Sequence, residues 1–279
     1  MRSTTGFVLL LMVTLAACDL SREVEIDLPE YTPQPVVECY LEPGQPFRLL
    51  LTRSFAFFDP FGLDTAFLEN TLLQGAAVSI RYNGTSTMLT NTLSGAYANG
   101  KVYNYASPDT VPDTPGITFE LDIVLPDGKQ ISGTTTMLPK VRWDSIVVQR
   151  NPDDTLVYRV LSYMTDDLAT SNYYRRVMSI NRTDTIPEQD FLVTDALNET
   201  GLFVFGTGYQ LKFKYRVYNT LVHLPKEYHD FLESIQLALA GSENPFQQPS
   251  PIKSNVSGSA NPIGIFTCLV YDLDSTTVR

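Results

Sequence analysis

A mainly β fold is predicted by this sequence: two tandem antiparallel β-sandwich-like domains, the second carrying one amphipathic helix. Three observations predict it. Short runs of alternating apolar residues recur along the chain, tight-turn signals such as Asn83-Gly84 and Pro126-Asp127-Gly128 separate them, and helical periodicity stands out in one stretch near 225–240. The composition, 43% hydrophobic and 18% charged over 279 residues, suits a globular chain with enough apolar surface for two cores.

The amino end reads differently. Arg2 gives a positive start, Gly6 to Leu15 an apolar run too short to span a bilayer, and Leu15-Ala16-Ala17-Cys18 a lipobox. Residues 1–17 are expected to be removed as a lipoprotein signal peptide, leaving an acylated Cys18 as the lipid anchor. The alternative is an ordinary secretory signal with a chance cysteine. Residues 18–32 follow as a polar tether with Glu23, Glu25, Asp27 and Glu30, although Val24 and Ile26 alternate with the acids and are compatible with a strand.

The first domain is expected over 33–139. Val36–Tyr40, Phe47–Ser54, Ala77–Tyr82 and Ser86–Asn91 read as strands, the last two joined by the Asn83-Gly84 hairpin turn. Ile117 to Leu125 places apolar residues at every second position, and Lys129 to Thr136 returns after the Pro-Asp-Gly turn. Two segments, Phe55–Gly75 and Asn99–Gly116, read as long loops, where β scaffolds commonly carry binding function.

The second domain is expected over 140–279. Trp143 opens it, and Leu156–Met164, Tyr173–Ile180, Tyr209–Val217 and Ile265–Tyr271 read as strands. In the helix, Pro225 stands at an early position and Tyr228, Phe231, Leu232, Ile235 and Leu239 form an apolar stripe.

Composition excludes several functions. A net charge of −11 without a basic cluster disfavours nucleic acid and anionic lipid surfaces. His223 and His229 are the only histidines, six residues apart and expected at surface or flanking positions. They make neither a zinc site nor, lacking a nucleophile-elbow motif, a serine triad. Cys39 and Cys268 lie in apolar runs. They read either as small buried hydrophobes or, in an oxidising envelope, as a disulfide. The pairs Asp153-Asp154, Asp166-Asp167 and Asp272/Asp274 are the remaining catalytic candidates, with solvated loop ends as the plainer reading. No catalytic residue, metal or cofactor is therefore expected. Among 15 Tyr and 15 Phe, Phe55, Phe57, Phe58 and Phe61 cluster in the first long loop, either as packing or as a partner-binding patch.

Several short stretches occur together in order: Glu25-Ile-Asp-Leu-Pro29, Pro35-Val-Val-Glu38 with Leu49-Leu-Leu-Thr52, Gly75-Ala-Ala-Val-Ser-Ile80, Leu125-Pro-Asp-Gly128, Asn172-Tyr-Tyr-Arg175, Asn244-Pro245, and Ser254-Asn255 ahead of Gly264-Ile-Phe266. With them the chain resembles the Bacteroidota lipoprotein family called domain of unknown function 4249, Cys39 departing from the small residue expected there. The resemblance implies an outer-membrane lipoprotein, often encoded beside TonB-dependent transporters, and assigns no catalytic residues. The expectation is a non-enzymatic lipoprotein of the outer membrane or cell envelope, held by lipid on Cys18 and acting as accessory or ligand-binding partner of a TonB-dependent outer-membrane transporter. A structural or adhesive surface lipoprotein binding glycan or protein is the alternative, and a carboxylate-dependent hydrolase a third.

Overall fold

The computed structural model describes residues 31–55, 71–98, 101–183, 186–242 and 250–279. The expected signal peptide, Cys18, most of the tether, and Phe57, Phe58 and Phe61 lie outside them. From the amino end the strands are β1 (Pro35–Leu41), β2 (Pro46–Arg53), β3 (Ala77–Tyr82), β4 (Thr85–Ala98), β5 (Lys101–Thr110), β6 (Thr118–Val124) and β7 (Gln130–Thr136). After a linker come β8 (Ser145–Arg150), β9 (Val157–Thr165), β10 (Tyr173–Ile180), β11 (Gln189–Thr194), β12 (Leu202–Gly206), β13 (Leu211–Lys212) and β14 (Arg216–Leu224), then the helix α1 (Lys226–Ser242). β15 (Val256–Ser257), β16 (Ile263–Cys268) and β17 (Val270–Thr277) complete the order.

Among the described residues the fold is mainly β, with the single long helix α1 and several sheets, one of them nearly barrel-shaped. That sheet runs β15-β7-β6-β3-β4-β5-β2-β1-β16. Alternation sets its register: Phe119, Leu121 and Ile123 of β6 are buried, while Thr118, Glu120 and Val124 between and beside them are exposed. The inward rings of Phe47, Tyr82 and Phe119 pack with centroids 5.3–6.5 Å apart. Asn83 and Gly84 both take positive φ, as their hairpin turn requires.

Two asparagines bond backbone groups of the sheet through their side-chain amides. Asn104 is fully buried; its side chain accepts from Leu51 N–H at 2.8 Å and donates to Leu51 C=O at 2.9 Å. Asn255 does the same for Phe266 at the sheet's two ends, accepting its N–H at 2.8 Å and donating to its C=O at 2.6 Å. Each amide satisfies a buried donor and acceptor as a neighbouring strand would.

Two further sheets pack face to face. One runs β11-β10-β14-β17; the other pairs β9 with β8 on one side and with β12 and β13 on the other. Both contribute to shared clusters, one around Val160, Met178, Leu211 and Val217, another around Trp143, Met164, Tyr174, Phe205 and Leu221. The helix α1 covers the opposite face of β10 and β14. Its Tyr228 and Phe231 cluster with Val222, Leu224 and Ile265, and Tyr228 meets Tyr40 of β1 at 5.7 Å. Each such buried side chain contributes roughly 1.5–3 kcal/mol, so α1 fastens β10 and β14 to the nine-stranded sheet.

The structure departs from the sequence expectations at definite places. Asn99–Gly116 is not one long loop, because β5 fills most of it, with Asn104 and Tyr105 buried. Pro108 obscures that strand, and a register shift between the Pro46–Thr110 and Arg48–Ala106 pairs accommodates it. Tyr209–Val217 is not one strand. Lys214 turns at φ 69, Phe213 is exposed, and the longer β14 begins at Arg216. Ile265–Tyr271 is divided, with β16 in the nine-stranded sheet and β17 in the β10/β14 sheet. Leu239 of the expected apolar stripe is exposed.

Candidate functional site

A cleft of about 440 Å³ lies where three connections meet. The linker after β7 gives Leu138 and Pro139, the β9–β10 connection gives Asp167, Thr170, Ser171 and Asn172, and the β14–α1 junction gives His223, Leu224, Lys226 and Glu227. His223 ends up here because alternation along β14 turns Asn219, Leu221 and His223 toward the inter-sheet core, and Pro225 then stops the strand and starts α1.

The expected surface or flanking positions of the histidines are corrected: His223 and His229 are both buried. His223 Nδ1–H donates to the Pro139 carbonyl at 2.8 Å, and Nε2 faces Asn172 Oδ1 at 3.3 Å. The Asn172 amide cannot turn round without loss, because its Nδ2 donates to Asp166 Oδ1 at 3.0 Å and to the Asp167 and Thr170 carbonyls at 3.1 Å. Behind it the Tyr174 hydroxyl donates to Asp166 Oδ1, and the Tyr174 ring stacks on His223 at 5.1 Å. Burial pulls the His223 pKa below its ordinary value, opposed by the Pro139 hydrogen bond and the Asp166 charge. Burial, then Asp166, raises Tyr174 and keeps its phenol protonated.

A general base needs a ring nitrogen turned toward a substrate, and both nitrogens of His223 face protein oxygens. Lys226 is engaged too, 2.6 Å from Asp230. What remains around the cleft is a mixed rim of Asp167, Glu227, Thr170 and Ser171 over apolar Leu138, Pro139 and Leu224.

His229, Asp230 and Glu233 on α1 place potential ligand atoms within 4.8 Å of one another. Their charge is already answered: Lys226 and Lys253 lie 2.6 and 3.8 Å from Asp230, and Lys253 lies 3.6 Å from Glu233. A cation would have to displace both ammonium groups.

The other residues singled out by sequence are dispersed. Phe55 is partly exposed. Each carboxylate pair has local duties: Asp153 and Asp154 sit in the turn before β9, Asp166 binds Asn172 and Tyr174, and Asp272 binds Lys140 at 3.0 Å and Trp143 N–H at 3.2 Å. Cys39 and Cys268 are buried thiols rather than a disulfide, and burial pushes Cys268 up to about 12. Sequence reasoning missed the Asn172–His223–Asp166 cluster and the buried Arg176. The period-two pattern of β10 does place Tyr174, Arg176 and Met178 on one face.

The chain matches the family described as Domain of unknown function (DUF4249) over residues 21–272. No curated protein matches it.

Proposed function

This chain belongs to the DUF4249 family, and from that premise we propose that it is a non-enzymatic, lipid-anchored lipoprotein of the outer membrane, of the Bacteroidota type. It is built as two β-sandwich-like lobes and acts as accessory or ligand-binding partner of a TonB-dependent outer-membrane transporter. The observation that supports the non-catalytic part is the placing of His223, whose Nδ1–H is spent on the Pro139 carbonyl and whose Nε2 faces Asn172 Oδ1, in a cleft suited to binding. Leu15-Ala16-Ala17-Cys18 supports the anchor. Among the described residues no helix is long and apolar enough to cross a membrane, and acyl chains on Cys18 are the attachment that this reading assigns.

The test is fractionation and affinity purification from native membranes. Cys18→Ala is expected to move the folded protein into the soluble fraction, and Ser171→Trp, which fills the cleft from an exposed position, to reduce recovery of a barrel partner. Recovery of no barrel protein with the native chain would remove the transporter partnership. A structural or adhesive role is the second reading, favoured by Leu202 and Val204 exposed on β12 and Val147 on β8. A glycan array without hits, alongside a stable transporter complex, would rule against it.

A further inference from the structure

We propose that the two face-to-face sheets hold a buried monovalent anion of about halide size beside Arg176. Arg176 stands on β10 with no exposed surface, beside the paired rings of Phe191 and Phe205, whose centroids lie 6.0 and 5.9 Å from its Cζ. Its Nη1 donates to Gln189 Oε1 and its Nη2 to Asn219 Oδ1 at 2.8 Å, both neutral acceptors. Among the described residues no carboxylate pairs with it. Burial lowers its pKa to about 10, which leaves it charged at neutral pH.

Two donors in this core have no acceptor, Arg176 Nε and Asn219 Nδ2. Asn219 is also fully buried, and reversing its amide does not help. Its Oδ1 already accepts from Arg176 and from the Ser162 hydroxyl at 3.3 Å, so reversal would strand both of those donors. A buried guanidinium with uncommitted N–H groups is costly unless charge and hydrogen bonds are met together. Water would satisfy the donors and leave the charge. A dianion would reverse the charge and bring more acceptors than two donors can serve. A small monovalent anion answers both needs. Gln189, half-buried, reaches across to the Gly206 carbonyl at 3.4 Å and covers the site from the β11–β12 side.

Trp143 reports on this site. It is the chain's only tryptophan, and its indole N–H donates to the Asn219 carbonyl at 3.2 Å. Bromide is titrated into the purified chain against gluconate at constant ionic strength, and tryptophan emission is followed. Saturable quenching is expected. In Asn219→Asp, which supplies an internal carboxylate to Arg176, the saturable component is expected to be lost. Quenching that is linear in bromide, or a saturable component that persists in Asn219→Asp, overturns the proposal. Should that variant not fold, crystals of the native chain grown in bromide decide: an anomalous peak within hydrogen-bond distance of Arg176 Nε supports the site, and its absence there overturns it.

Discussion

Asn255 takes the place of a strand for Phe266, its side-chain amide bonding both the backbone N–H and the backbone C=O of that residue. Asn255→Ala leaves both groups of a fully buried residue without partners. The expected loss is about 2–4 kcal/mol, read as a lower denaturant midpoint. Gln130→Ala, at an exposed position on β7, is expected to change stability by under about 0.5 kcal/mol.

Gly264 sits at φ +130, where a Cβ would lie 1.9 Å from the Val37 carbonyl oxygen. The parallel register of β1 and β16 pairs these two residues. Gly264→Ala is therefore expected to cost on the order of 3 kcal/mol or more and to show as lost soluble expression or a sharply lower melting temperature. Gly44, with open space around its Cβ position, carries only the conformational penalty of its positive φ, and its alanine variant is expected to remain folded.

The depressed pKa of His223 gives stability a definite pH dependence. The unfolded chain binds a proton more readily than the folded one, so stability rises with pH through this window. Stability is expected to be fully present above the ordinary histidine value of about 6.5 and to fall as pH drops toward the folded-state value. Denaturant midpoints measured across this range should slope accordingly, and the slope should weaken in His223→Gln.

The register of β1 with β16 pairs Cys39 with Phe266 and Leu41 with Cys268, which sets the two cysteines diagonally rather than opposite. Diagonal neighbours stand about 7–8 Å apart, beyond the usual span of a disulfide. The Cys39 thiol donates to the Arg48 carbonyl at 3.3 Å. In a Cys18→Ala chain, thiol reagents are expected to label neither cysteine under native conditions and both in denaturant. A diamide-induced disulfide in the native state would contradict the register.

Much of the fold was legible where one physical signal acted alone. Alternation marked β6, the Asn-Gly turn marked the β3–β4 hairpin, and three-and-four spacing marked α1. Legibility failed where signals conflicted or where the cause lay far off in sequence. Pro108 hid β5, and the alternation of Leu211, Phe213, Tyr215 and Val217 ran straight through a turn at Lys214. The return of β15 and β16 to the first sheet depends on pairing with residues more than a hundred positions away. The cleft was the least legible part. Pro139, Asn172 and His223 come from three distant segments, and their polar atoms converge only after the sheets form. The pattern around His223 names a buried strand end, and only the folded structure shows its ring set between the Pro139 carbonyl and the Asn172 amide.

The central claim is a lipid-held binding protein, and the amino-terminal peptide tests it most directly. Mass spectrometry of the chain isolated from native membranes is expected to find a first residue at Cys18, with the acyl chains attached there. An unmodified Cys18, or a mature chain beginning at any other residue, would contradict the account.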